Sequence, residues 1–307
     1  MRLTRRFGQN LWRYRTLTLM CLPVVVFFFM FSYMPMPGAY VAFTKFNYQK
    51  GIWGSQYIGW KNFQFLFTSG QLALLLRNTV LYNIAFIVIG NVVQMTVAIL
   101  MNEVRSAKFR KVTQTIMFLP YFISAVLVAL VVYNLLNFDF GFITSLLRQW
   151  NLPAPKVYST PNAWPVLIII VHLWQSTGYG SVVYFAAIMG IDAEMMEAAR
   201  VDGANGWQRI LHITLPCLKP TFVLLLLFAL GGIIRGNFGL FYNLVGLNSM
   251  LYRTTDIIET YVYRSMMNNF NFSQSSAVGL FQSVVGFAIV VIVNALVKKI
   301  EPDNSLF

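Results

Sequence analysis

Along the 307 residues, six apolar runs alternate with polar stretches, covering Leu17 to Met36, Thr79 to Met101, Thr115 to Leu136, Pro165 to Met189, Leu218 to Ile234 and Ala277 to Val297. Each is close to the ~20 residues that a helix needs to cross a hydrocarbon core. Backbone groups in lipid must be bonded internally, and runs of this length leave only helices, since barrel strands are short and alternating. The pattern predicts an all-α, polytopic membrane protein with six transmembrane helices. It divides the chain into a leader over 1–16, a membrane domain over 17–297 with a polar loop at 190–217, and a tail over 298–307.

An even number of crossings places both termini on one side. Of the 23 lysines and arginines, 14 fall on that side, so the positive-inside rule assigns both termini and the 190–217 loop to the cytoplasm. Arg2, Arg5, Arg6, Arg13 and Arg15 precede the first run, but Met34-Pro35-Met36-Pro37 follows it instead of a small-residue cleavage site. That run reads as a retained helix and not as a secretory signal.

Composition agrees, with 57% hydrophobic and only 11% charged residues, more apolar surface than one soluble core can hide. The net charge of +13 is scattered among apolar runs and forms no extended basic face, which argues against nucleic acid as a partner. Cys21 and Cys217 form no CxxC pair or disulfide framework and read as small packing residues. No GxxxxGK[ST], HExxH or GxSxG motif occurs, and the only histidines are His172 and His212. No metal set and no catalytic residues are therefore expected, and the chain should bind no cofactor of its own. None of the ten acidic residues lies inside the six runs, which argues against a proton-coupled carrier.

Three stretches on the other face carry more detail. The first holds Tyr40, Phe43, Trp53, Tyr57, Trp60, Phe63 and Phe67, which suit an interfacial aromatic belt or contact with an external partner. The second is broken by Pro153, Pro155, Pro161 and Pro165 and must be irregular. In the third, Gly231, Gly232, Gly236 and Gly239 interrupt the fifth run, and Arg235 and Asn237 bring polar groups to its end. Broken backbone at membrane depth points to a translocation path or to close packing through small residues.

Candidate path residues are neutral. His172, Gln175 and Tyr179 share one face of the fourth helix, with Asn83, Asn91 and Gln94 in the second, Tyr121 and Ser124 in the third, and Asn237, Phe241 and Tyr242 past the glycine break. Many neutral hydrogen bonds with aromatic faces suit a sugar, although the same residues also serve as interhelical hydrogen bonds.

The 190–217 loop has definite local chemistry. Asp192 can cap a helix with Glu194 in its first turn, Gly203 can end it in the left-handed region, and Asn205 with Gln208 forms a capping-box pattern. Trp207, Ile210, Leu211 and Thr214 then share a face, and Pro216 opens the next membrane helix. From the residues alone, a ridge entering a groove in another protein and a plain connector both remain open.

The spacing Glu197-Ala198-Ala199, three residues, Gly203, nine residues, Ile213-x-Leu215-Pro216 resembles the signature of permease subunits of binding-protein-dependent ABC importers. Other stretches resemble the carbohydrate branch, and within it polysaccharide and oligosaccharide permeases. They are Gly59 to Phe63, Phe118-Leu119-Pro120, Trp174 to Gly178, Thr260 to Arg264 and Ser276 to Phe281. The chain departs from that pattern at Gly246-Leu247-Asn248-Ser249, where the family often has Gly-Gly-Pro.

The resemblance implies a type I ABC importer permease fold in a bacterial plasma (inner) membrane. It implies a second homologous permease as partner, two cytoplasmic ATPase subunits that hold ATP and Mg, and an extracytoplasmic solute-binding protein that delivers an oligosaccharide. Carried over by position, Glu197, Ala198, Ala199, Asp202, Gly203, Ile213 and Pro216 would couple to the ATPases. A secondary transporter or channel for a small polar solute is the competing expectation.

Overall fold

A computed structural model describes residues 14–300. Most of the leader and the tail from 301 onward lie outside the described residues. Among these residues, twelve α-helices of eight or more residues set the fold.

The first, α1 (Arg15–Phe28), continues through a π turn at Phe29–Tyr33, and none of its residues is buried. A 3-10 turn, Met36–Phe43, leads to the antiparallel strands β1 (Thr44–Asn47) and β2 (Ser55–Tyr57), with Thr44 opposite Tyr57 and Lys45 opposite Gln56. Helix α2 (Lys61–Thr68) completes a small cap. These two short strands are the only ones among the described residues, so the all-helical expectation holds apart from this hairpin.

The cap is not a simple aromatic belt. Phe63 and Leu66 are buried with Leu72, Leu75, Ile258, Ala277 and Val278, and Phe43 packs against them. The Asn62 amide donates to the Ala42 and Thr44 carbonyls at 2.8 and 3.0 Å. Tyr40 lies between Trp53 and Tyr57, with ring centroids at 5.6 and 6.1 Å. At its far side the Phe46 N–H donates to Ser273 Oγ at 2.9 Å and the Tyr48 hydroxyl to the Phe270 carbonyl at 3.2 Å. Trp53 and Trp60 remain exposed.

Helix α3 (Gln71–Glu103) is 33 residues long and begins well before the apolar run at Thr79. The extra turns carry Arg77 and Asn78, which hydropathy alone does not recruit. Asn78 is buried and donates to the Asp256 carbonyl at 2.9 Å, so a tertiary partner offsets its cost in the core.

The third apolar run is not one helix. It folds as α4 (Ala107–Phe118), a 3-10 turn Leu119–Phe122, and α5 (Ala125–Leu136), and the two arms meet at 98°. Ser124 caps α5 by accepting from the Leu127 N–H. Five helices among the described residues are long and apolar enough to cross a membrane, and the bent pair makes a sixth when counted as one span.

After α6 (Phe142–Gln149), helix α7 (Trp164–Met189) lies against α3 in the most extensive pairing of the bundle. Their contact buries Tyr184, whose hydroxyl donates to Asn91 Oδ1. A second core joins α3, α5, α7 and α10 (Phe238–Val245) through Tyr82, Val128, Ile168 and Phe241. Between α7 and α10 come α8 (Ala193–Val201) and α9 (Leu215–Gly231). Helices α11 (Ile258–Met267) and α12 (Phe272–Ile300) close the fold.

Candidate coupling loop and translocation path

The loop begins with Asp192, whose side chain accepts the Glu194 N–H at 2.9 Å, as an N-terminal cap should. Helix α8 ends at Asp202. There the Ala204 N–H donates to the Ala199 carbonyl at 2.9 Å and the Gly203 N–H to the Arg200 carbonyl at 3.1 Å. This is a Schellman closure, and it requires the left-handed residue that Gly203 supplies at φ +81°. One position of the recurring pattern thus has a geometric reason: Gly203 supplies the left-handed turn that closes the helix.

Asn205 and Gln208 form the full capping box, with Gln208 N–H to Asn205 Oδ1 at 2.9 Å and Asn205 N–H to Gln208 Oε1 at 2.8 Å. The expected second short helix, however, does not stop before the membrane. The helical turn Gly206–Arg209 passes through a π turn at Ile210–Thr214 directly into α9, and together they form one span, Gly206–Gly231. Pro216 stands in the first turn of α9, as expected, but the helix there is continuous with the π turn before it. The π turn is where the ladder absorbs the proline, which can donate no N–H.

Glu197, Ala198, Asp202, Gly203 and Pro216 are exposed, and Ala199 and Ile213 are half-buried. The loop also shows large apolar groups to its surroundings, with Val201 88% and Trp207 68% exposed.

The path candidates fall into three groups. His172 and Tyr179 line a cavity of about 300 Å³ between α7, α3 and α9, together with Asn91, Gln94 and Ser176. His172 is stacked on Phe86 at 3.8 Å, and Tyr121 reaches the same region through a parallel stack on Tyr179 at 4.5 Å and 11°. Ser176 Oγ is buried and has no partner among the described residues, so the cavity holds an unused polar group.

A second group satisfies broken backbone. Gln175 donates to the Ile123 carbonyl at 3.0 Å, at the corner between α4 and α5. Asn83 donates to the Ile233 and Arg235 carbonyls at 2.8 and 3.0 Å. Asn237 caps α10 by accepting the Leu240 N–H at 3.1 Å. The third group is packed away from that cavity. Phe241 is 1% exposed and edge-on to Tyr82 at 4.7 Å, and Tyr242 stacks with Phe238 and meets Tyr263. In this conformation Phe241 presents no face to a solute.

Sequence reading missed Glu259 and Gln282. With Arg235, Gly236, Ser283 and Gly286 they line a cavity of about 540 Å³ beside the break between α9 and α10. Burial pushes the Glu259 carboxyl up, opposed by hydrogen bonds from Gln282 and Gly236 and by the charge of Arg235. Gln282, a polar residue inside the last apolar run, was the available signal. No group of three or more metal-ligating side chains occurs among the described residues.

Residues 94–305 match the family model described as binding-protein-dependent transport system inner membrane component. The chain is 35% identical over 295 residues to the polygalacturonan/rhamnogalacturonan transport system permease protein YteP of Bacillus subtilis (strain 168), covering 96% of this chain and 91% of that one. It is 31% identical over 292 residues to protein LplB of the same organism, covering 95% and 91%. Its fold is similar to a chain of a bacterial ABC transporter involved in the import of the acidic polysaccharide alginate. The TM-score is 0.87, the identity 33%, and the coverage 96% of this chain and 99% of that chain. A chain of a bacterial alginate ABC transporter in complex with an alginate pentasaccharide-bound periplasmic protein gives a TM-score of 0.85, 34% identity, and coverage of 96% and 98%.

Proposed function

The chain belongs to the family of binding-protein-dependent transport system inner membrane components, the permease subunits of ABC importers, and from that premise we propose that it forms one half of an ATP-driven path for an oligosaccharide. The other half is a second, homologous permease. Two cytoplasmic ATPase subunits hold ATP and magnesium and receive the loop at Glu197–Gly203, and an external binding protein supplies the sugar.

The observation that carries this reading is the build of the loop. A doubly capped helix pair presents Val201 and Trp207 to its surroundings, and its second helix is continuous with a membrane span. Such a ridge suits a groove in another protein, and its continuity with the span suits transmission of movement. The cavity at His172, Ser176 and Tyr179, with the Tyr121 stack, offers hydroxyl partners and aromatic faces of the kind that a sugar uses. The named cargoes of the relatives favour a chain of carboxylate-bearing sugars, and exposed Arg235 beside the break is a fitting cation for one.

Co-purification of the tagged chain from host membranes tests the assembly. The expected result is one further permease and an ATPase, followed by binding of uronate oligosaccharides in preference to neutral ones by the associated external protein. Recovery without any ATPase overturns the proposal.

A further inference from the structure

At the break between α9 and α10, three successive carbonyls lose their helical partners, and each is met by a side chain from elsewhere. Asn83 of α3 donates to the Ile233 carbonyl at 2.8 Å and to that of Arg235 at 3.0 Å. Gln282 of α12 donates to the Ile234 carbonyl at 2.7 Å. The same Gln282 nitrogen donates at 2.7 Å to Glu259 Oε1 of α11, which also accepts the Gly236 N–H at 2.8 Å. Glycine at 236 leaves room for this approach: an added Cβ would lie 2.5 Å from Ile257 Cδ1 and 2.6 Å from Glu259 Oε2, so those side-chain ends would have to shift. Broken backbone of this kind is tolerated in a membrane only when its polar groups are satisfied. Here the satisfaction comes from three different elements and fastens the break to each.

The break also lies at the end of the span that begins in the loop. Gly206–Gly231 is 26 residues, about 39 Å as a continuous helix, and ends where the clamped segment starts. A displacement delivered at the loop therefore arrives at Gly232–Asn237.

We propose that Asn83, Gln282 and Glu259 form a clamp that carries movement of the loop-bearing span to α3 and α12, with Glu259 as the positioning residue that joins the break to the last helix. The inference rests on the ATP-driven reading above. In this role Glu259 touches no substrate. It acts through one oxygen, Oε1, which holds both the Gly236 N–H and the Gln282 amide, while Oε2 is buried without a partner among the described residues. An amide at position 259 can keep that doubly accepting oxygen. Alanine cannot.

The test uses the full importer, with its second permease, ATPases and binding protein, reconstituted in proteoliposomes. Wild type, Glu259→Gln and Glu259→Ala are compared for ATP hydrolysis and for uptake of a tritiated oligogalacturonate pool, and the purified complexes for hydrogen exchange of the peptide over 232–240. Glu259→Ala should keep ATP hydrolysis within about twofold, lower uptake per ATP at least tenfold, and speed exchange over 232–240 at least tenfold. Glu259→Gln should restore both. Unchanged uptake per ATP or unchanged exchange in Glu259→Ala overturns the clamp, as does a Glu259→Gln variant as impaired as the alanine. A wild-type complex that hydrolyses no ATP, or whose uptake ignores it, instead overturns the ATP-driven reading, and the exchange measurement still judges the clamp.

Discussion

The Gln175 side chain donates to the Ile123 carbonyl at 3.0 Å, across the corner where α4 turns into α5. Position on a helix face placed Gln175 beside His172 and Tyr179 as a path residue, yet its amide is engaged in closing a broken backbone. Gln175→Leu leaves a carbonyl unpaired in the bundle, at a cost of about 1–3 kcal/mol. The purified protein should melt several degrees lower. Tyr179→Ala, which removes a ring from the cavity wall, should leave melting nearly unchanged and lower uptake. Thermal unfolding in detergent beside an uptake assay checks the pair, and the opposite ranking would return Gln175 to the path.

Gly203 closes α8 at φ +81°. A side chain there costs about 1–2 kcal/mol in the left-handed region, more for a β-branched residue. Gly203→Val should open the Schellman closure at Ala199 and Arg200 and reduce recovery of ATPase with the tagged chain at least tenfold, while membrane insertion persists. Glu197→Lys, on the exposed surface of the same helix, should give the same loss without unwinding α8, which circular dichroism of a loop peptide and pull-down of the ATPase can separate.

Trp207 is exposed on the turn that leads into α9. Aromatic anchors of this kind commonly contribute 2 kcal/mol or more to an interface, about thirtyfold in affinity. Trp207→Ala should therefore weaken ATPase association by that order, measured by titration in detergent, with no change in melting of the isolated chain.

Asp256 and Arg264 form a bidentate pair at 2.7 and 3.1 Å, and the guanidinium also lies 4.0 Å from the centre of the Tyr252 ring. Thr260 donates a third bond to Asp256 at 2.8 Å. Asp256 is buried, so removing Arg264 leaves its carboxylate without its cation, which costs about 3–5 kcal/mol. Arg264→Met should be strongly destabilised, and the double variant Asp256→Ala/Arg264→Met should recover part of the loss in a double-mutant cycle of melting temperatures.

Glu259 sets a pH dependence. Burial lifts its carboxyl above the ordinary carboxylate range. A carboxyl raised in the folded state adds stability that is fully present below its unfolded value and is withdrawn as pH rises through the folded one. Melting temperature should fall as pH climbs from the ordinary glutamate range through that raised value, and Glu259→Gln should flatten this part of the profile. A wild-type profile as flat as the variant's would contradict it.

The features legible in the sequence were those whose chemistry is local. Asp192, Gly203 and the Asn205–Gln208 box complete their bonds within five residues, so the caps of the loop are legible from spacing alone. The corner at Ile123 was not drawn, because apolar residues continue through it and hydropathy records no turn. Pro120 and the capping Ser124 carried the signal instead. Pro216 does mark the first turn of α9, but the π turn at Ile210–Thr214 that makes it continuous with the loop has no sequence signal of its own. The Glu259 clamp joins residues from four places in the chain, and no local rule foretells such a meeting.

The bond from Phe46 to Ser273, with that from Tyr48 to Phe270, joins positions more than 220 residues apart. During synthesis the hairpin emerges long before Phe270 and Ser273, which lie just before and at the start of the last helix. The cap is therefore a late joint: its outermost bonds close only when the chain is nearly complete, and they tie its first extramembrane segment to its last helix.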